Sequence, residues 1–400
     1  MKLKDTAKIF VHSLVAPDTK SLVDEELSRK KRAKGSRWDL ENSISPADLY
    51  IYLKARFGPP NGVIMIARSP HSDNFIQWHY TLKSGSAYLD ILGLNTRTEF
   101  WLSDYPGLTS EDWTALIDAI KSDFKRIGPK LKEVRSNLEL WRLFYNPYHR
   151  IDNLVLKYYE ELKKLSSESL ELPPELGALP NLIMKNGVSW KDDIEEFKRR
   201  ISECSKNFAR AKELSICLRL LCPVWAEAFI NFIIFILARE EIKNDKRLYQ
   251  DFLRKDIDVR VKLLHINCFG FEKKIDSTNK AFKDLQSLMN ERNDLLHGNV
   301  DPDKLSYETV YFDITIPLFT EPQGLARNSL GQSLVGIEPE VTLDHVHTVR
   351  AFIDFILSHI QEPIQKELRI ILSKRDLGWR PEKRKVGVLF DDFIMEGFAR

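Results

Sequence analysis

The sequence predicts a mainly helical α+β protein: a small antiparallel-sheet domain in the N-terminal part, then helices, ending in a four-helix bundle with a β insertion. Three observations carry this. Between Ile76 and Leu102, apolar and polar residues alternate through three segments separated by turn residues, the period of half-buried strands. On either side lie stretches with apolar residues at helical spacing, framed by capping residues and Gly-Pro stops. From Pro223 onward, four helical stretches have lengths of roughly 18–30 residues, which suit an up-down bundle.

Residues 1–44 form a basic N-terminal segment with a cluster at Arg29, Lys30, Lys31, Arg32, Lys34 and Arg37. Such a cluster could contact phosphate backbones. It could equally be a solvated helix end or a mobile arm, since no aromatic residue is interleaved. A helix follows, with Ser45 as N-cap, Pro46 in the first helical position and Gly58-Pro59-Pro60 as the stop. Gly62–Arg68 is an apolar run read as β. Ile76, Trp78, Tyr80 and Leu82 alternate with polar neighbours, and Tyr88–Leu94 and Thr96–Leu102 continue the meander. One face of that sheet needs cover. The next helix supplies it: Thr109 with Asp112 makes a capping box, and Trp113, Leu116, Ile117, Ile120 and Phe124 keep helical spacing up to Gly128-Pro129. Two further helices fill 130–165, the second opening at Pro147.

The Ser- and Pro-containing stretch 166–186 reads as a linker. It separates an α+β domain with trailing helices at 45–165, a candidate for recognition or regulation, from a helical domain at 187–400. Ser189 with Asp192 caps a helix bearing Phe197, Ile201, Cys204 and Phe208. The bundle helices are then Val224 to about Glu241, Arg247 to Cys268, Ser277 to His297, and Leu343 to about Lys374. The β insertion, near 305–320, alternates over Tyr307–Ile316.

Bulk properties narrow the function. Sixty basic against 58 acidic residues give a net charge of +2, which excludes a polycation but allows local basic patches. Cys204, Cys217, Cys222 and Cys268 contain no CxxC pair, so they predict buried thiols rather than a zinc site or disulfide framework. His71 and His79 lack a third ligand nearby, and His79 is expected to be exposed on the polar face of its strand. No metal or other cofactor is therefore expected. The N-terminus has no apolar run suited to a signal peptide. The greasiest segment, Phe229–Leu237, is short for a membrane span and contains Asn231. These features lead to the expectation of a soluble, cytoplasmic protein that does not engage a membrane.

One hexapeptide carries candidate chemistry: Arg292-Asn293-Asp294-Leu295-Leu296-His297, followed by Gly298. Arg292 and His297 lie about 140° apart on a helix, whereas Asn293 and His297 share a face. A His near a helix C-terminus sits at the negative end of the dipole, which favours its protonated form. The helix Val224–Glu241 is apolar nearly all round except for Glu227 and Asn231, spaced i,i+4 on one face. A buried carboxylate needs a cation, and Arg292 is the candidate. Alternatively, Glu227 is a solvated acid in a first helical turn.

The Arg-Asn-xxx-His order at the end of the third of four helices resembles the signature of HEPN domains, small helical bundles that often cleave RNA. The resemblance covers roughly residues 223–375, and the β insertion departs from it, so the groove is expected to be lidded or partly blocked. It implies metal-independent RNA cleavage by a homodimer. His297 would act in proton transfer during attack of the ribose 2′-hydroxyl, Arg292 would hold the phosphate, and Asn293 would shape the groove. Glu227, Asn231 and Asp294 would support them. It also implies a role in toxin–antitoxin systems or anti-phage defence, with a protein or nucleic-acid partner for the N-terminal domain. The surplus of Phe229, Ile230, Phe232, Ile233 and Phe235 on the first bundle helix points to dimerisation through the bundle. Two alternatives stay open: a non-catalytic HEPN module that binds RNA or protein, and an interaction protein that its bundle merely dimerises.

Overall fold

The computed structural model describes residues 3–28, 34–39, 44–70, 72, 74–168, 170, 190–298, 306, 309–320 and 338–390. The chain divides into two compact units, residues 1–142 with 378–400, and residues 143–377.

The first unit begins with α1 (Leu3–Ser13) and α2 (Thr19–Ser28), followed by β1 (Gly35–Asp39) and α3 (Pro46–Phe57). The strands β2 (Ile76–Ser84), β3 (Ala87–Leu94) and β4 (Thr98–Ser103) come next, then α4 (Ser110–Arg126) and α5 (Gly128–Ser136). The sheet is antiparallel in the order β1-β4-β3-β2. Its inner face presents Tyr80, Leu82, Leu89, Ile91, Phe100 and Leu102 to α1, α3 and α4, which contribute Phe10, Leu53, Trp113 and Leu116 among others to the same core. The caps lie where the sequence places them. The Ser45 side chain accepts from the Asp48 amide, Gly58 ends α3 at φ 83°, and Thr109 and Asp112 form a reciprocal capping box.

Several expectations change here. Within the expected basic segment 1–44, the described parts join the first unit: α1 buries Leu3, Ala7, Phe10 and Val11, and β1 adds an edge strand to the sheet. Arg29 to Arg32 lie outside the described residues, and Arg37 is held by Glu99 at 2.5 Å. The run Gly62–Arg68 forms a 3₁₀ turn at Val63–Ile66 instead of a strand. Asn61 anchors its start by bonding Pro17 O, Thr81 O and the Thr81 amide. His79 is buried rather than exposed: its ring lies under Gly62, and its Nε2 meets Asp90 at 3.0 Å.

The second unit contains α6 (Pro147–Glu168), α7 (Trp190–Leu237), α8 (Glu240–Asn244), α9 (Lys246–Arg254) and α10 (Ile257–Asn267), following a short strand β5 (Arg142–Tyr145). Then come α11 (Lys280–His297), the hairpin β6 (Val310–Asp313) and β7 (Ile316–Phe319), α12 (Pro339–Leu357) and α13 (Glu362–Ser373). The hairpin β8 (Asp376–Arg380) and β9 (Lys385–Gly387) follows. The helix α6 therefore does not trail the α+β domain. Its stripe of Tyr148, Val155, Tyr159 and Leu162 is buried, Tyr148 meets the Phe229 ring of α7, and Glu161 pairs with Arg210. Most of the expected linker lies outside the described residues. The segment 378–400, assigned by sequence to the helical domain, belongs to the first unit, where Arg380 pairs with Glu139 and Gly378 packs under Leu389.

The largest departure is α7. The sequence suggests two helices with a start at Pro223, but one helix of 48 residues runs through that proline. Proline in a helix interior removes one hydrogen bond. Burial of Leu218, Cys222, Trp225, Ala226 and Phe229 on either side holds the helix together across the gap. Continuity also lengthens the apolar stretch. By length and composition α7 could cross a membrane, and 56% of its most apolar window is buried within the fold. The expected second bundle helix is broken at Lys255, which is extended, and Asp256, which caps the next helix. The fourth is broken at Ser358–Gln361, where the backbone turns aside to bond Gly270 and Glu272. The β insertion is a hairpin whose two-residue turn falls at Ile314 and Thr315, so Ile314 is not in a strand. Tyr307 and Glu308 lie outside the described residues.

Candidate active site on the second unit

The helix α11 starts with Asn279, whose side chain accepts from the Ala281 amide, and buries Phe282, Leu285, Leu288 and Met289 against α7 and α12. Continuing that stripe by one turn reaches Arg292, which lies i+3 from Met289 and i+4 from Leu288. Helical spacing thus brings Arg292 to the rim of the packed face, where Glu227 of α7 faces it. Arg292 Nη1 lies 3.4 Å from Glu227 Oε1, with both side chains partly exposed at 21% and 30%. Arg292 also donates to Asn293 Oδ1 from Nη2 at 3.1 Å and from Nε at 3.4 Å. Such distances are at the long end for charged pairs, so the guanidinium is held loosely.

Because α7 is continuous, Glu227 lies far inside a helix. The alternative of a solvated first-turn acid, favoured by the helix dipole, therefore no longer applies. Asn231 shares the Glu227 face but takes a different partner. It is exposed and accepts from Nη1 of Arg260 on α10. Arg260 was not anticipated from the sequence. It is 6% exposed, its Nε has no partner among the described residues, and burial lowers its pKa, opposed by the charges of Glu227 and Asp256. The signal was available: Arg260 lies i,i+4 from Leu264 and beside Val261, so it falls on the buried stripe of α10.

Asn293, Asp294 and His297 are exposed at the end of α11. The Asp294 carbonyl accepts the Gly298 amide, and Gly298 adopts the left-handed conformation at φ 59° that stops the helix. Among the described residues the polar partners of Arg292 are Glu227 and Asn293, and no hydrogen bond joins it to His297. The structure thus joins Arg292 to Glu227 and Asn293, pairs Asn231 with Arg260, and leaves His297 exposed and apart from both pairs among the described residues. Next to the motif, Glu291 reaches His345 of α12 at 3.4 Å; burial pushes the His345 pKa down and Glu291 pulls it back.

The apolar residues expected to cover a subunit interface are used within the unit. Phe229, Ile230, Phe232 and Ile233 are buried and Phe235 is half-buried, so they leave no surplus for a second copy. All four cysteines are free thiols, with Cys217 half-buried. Burial pushes Cys222 and Cys268 up to about 12, which leaves them protonated and inert as nucleophiles. Among the described residues no group of three or more His, Cys, Asp or Glu side chains is placed to hold a metal ion. Comparisons with protein-family models, with curated proteins and with solved structures give no match.

Proposed function

We propose that the second unit is a metal-independent endoribonuclease of HEPN type. The observation supporting this most directly is the pairing of Arg292 with Glu227 across α11 and α7, with Asn293 and His297 exposed one turn beyond it. In this reading Arg292 turns from its long contacts to take a phosphate, for which a planar guanidinium suits bidentate binding. His297 accepts the proton of a ribose 2′-hydroxyl as that oxygen attacks the adjacent phosphorus. The 5′-oxygen leaves and takes up a proton, and the upstream product ends in a 2′,3′-cyclic phosphate. Asn293 orients the guanidinium, Glu227 sets its resting position, and Asn231 and Asp294 shape the groove. The substrate is RNA in the cytoplasm, in toxin–antitoxin or anti-phage defence, and the first unit recognises the target or a regulator.

The test is incubation of the purified chain with total RNA and with tRNA in EDTA, beside Arg292→Ala and His297→Ala. Cleavage that resists EDTA, spares DNA of matching sequence and disappears in both variants supports the reading, since DNA lacks the nucleophile. EDTA-sensitive cleavage, equal cutting of DNA or undiminished activity of His297→Ala removes it. A second reading, a non-catalytic module that binds RNA, is favoured by the fact that Glu227 and Asn293 already engage Nε, Nη1 and Nη2 of Arg292. It predicts RNA binding with no cleavage.

A further inference from the structure

We propose that two copies of this chain pair through the outer edge of β6, forming a four-stranded antiparallel sheet β7-β6-β6-β7 across a two-fold axis. This inference is independent of the ribonuclease reading.

The β6–β7 hairpin pairs with no other strand among the described residues. A two-stranded ribbon is marginal by itself in water, and this one carries apolar side chains on both faces. Tyr311, Phe312, Ile314, Ile316, Leu318 and Phe319 are each between 51% and 92% exposed.

Backbone chemistry distinguishes the two edges. The register pairs Asp313 with Ile316, Phe312 with Pro317, Tyr311 with Leu318 and Val310 with Phe319. With a two-residue turn, the closing pair Asp313–Ile316 exchanges hydrogen bonds and the pattern then alternates. Phe312, Pro317, Val310 and Phe319 therefore direct their backbone groups outward. On β7 the outward position at 317 is proline, which has no N–H, the usual way an edge is blunted. On β6 both outward positions, Val310 and Phe312, keep donor and acceptor.

An antiparallel strand can pair with itself across a two-fold axis. Pairing Val310 with Phe312 of the second copy, and the reverse, uses both outward positions and forms four main-chain hydrogen bonds. That register places Tyr311 opposite Tyr311 in a non-hydrogen-bonded pair, with Cα atoms about 4.5 Å apart. Asp313, the one charged residue of the two strands, falls opposite Thr309 of the second copy, so no like charges meet.

The register specifies the experiment: light scattering of the full chain across micromolar concentrations, with Tyr311→Lys, Tyr311→Glu and an equimolar mixture of the two. A dimer in the unsubstituted chain, monomers in each single variant and a dimer in the mixture support the proposal, because like charges oppose across the axis and unlike charges attract. Tyr311→Cys should additionally form an intermolecular disulfide on mild oxidation, since the Cα separation lies in the bridging range. A monomeric unsubstituted chain, or a dimer that both charge variants leave unchanged, overturns it. So does binding to phosphatidylcholine vesicles by a monomer that Tyr311→Lys or Tyr311→Glu abolishes, which would make a lipid surface the occupant.

Discussion

The Asp123 cluster of the first unit and the Glu227 cluster of the second use the same parts, an arginine, a carboxylate and a polar neighbour, but close to different degrees. Asp123 is fully buried. Arg56 meets it at 2.8 Å, Arg126 at 2.5 Å and the Tyr52 hydroxyl at 2.9 Å, while Arg56 also ties down the Val11 carbonyl at 2.6 Å. Burial alone would raise the Asp123 pKa. Hydrogen bonds from Arg126 and Tyr52 and the charge of Arg56 bring it below the usual carboxylate range. Glu227 instead has, among the described residues, a single arginine contact at 3.4 Å and stays partly exposed. The first cluster converges on one buried carboxylate and is a strut of the fold. The second is loose, rimmed by exposed polar side chains, and can exchange its internal partners for a ligand.

Substitutions sharpen or break this contrast. The largest expected effect is His297→Ala, which under the proposed ribonuclease reading should cut the rate of RNA cleavage by about 10²–10⁴-fold with the thermal midpoint unchanged, because the ring is exposed at a helix end. A cleavage assay paired with a melting curve reads both; a folded variant with undiminished cleavage dissolves the distinction. Next is Arg56→Met. Removing one partner of a buried pair costs about 3–5 kcal/mol, so denaturant unfolding should show a large loss of stability in the first unit with no effect specific to cleavage. A loss under about 1 kcal/mol would mean that the Asp123 cluster is not a strut. Arg292→Ala should lower stability by less than about 1 kcal/mol, as expected for a partly solvated pair, yet reduce activity at least as much as His297→Ala.

The smallest effect is on pH dependence. The His345 pKa is depressed in the folded protein by burial. Below the ordinary histidine value the unfolded chain takes the proton more readily, so stability is full at neutral pH and falls as pH drops through about 6.5. His345→Gln should flatten that slope by an amount on the order of 2 °C in the midpoint. A slope identical to that of the unsubstituted chain would place the acid sensitivity elsewhere.

How much of this was legible follows from how local each signal is. Ser45 with Asp48, and Thr109 with Asp112, are caps whose partners lie three residues away, and they stand where the sequence placed them. The β2–β4 alternation survives because one face is buried throughout. The Glu227–Arg292 contact was also legible, since a carboxylate in an apolar helix limits its partners to few. Arg260 was missed although Val261 and Leu264 mark its side of α10 as buried, and the helix break at Gln361 depends on a distant backbone partner, the Gly270 carbonyl. Pro223 misled for the same reason: the local rule for proline is sound, but burial on both sides outweighs it.

That proline has one more consequence. Without an amide at 223, the Arg219 carbonyl has no helical donor, and the ladder of α7 is interrupted one turn before Glu227. Local opening draws on the weakest contiguous hydrogen bonds. Deuterium exchange should therefore split α7 into two segments, a faster one through Arg219 and a slow one from Phe229 to Ile234. Glu227 would stand at the seam, fixed to the slow segment only by the single turn that separates them.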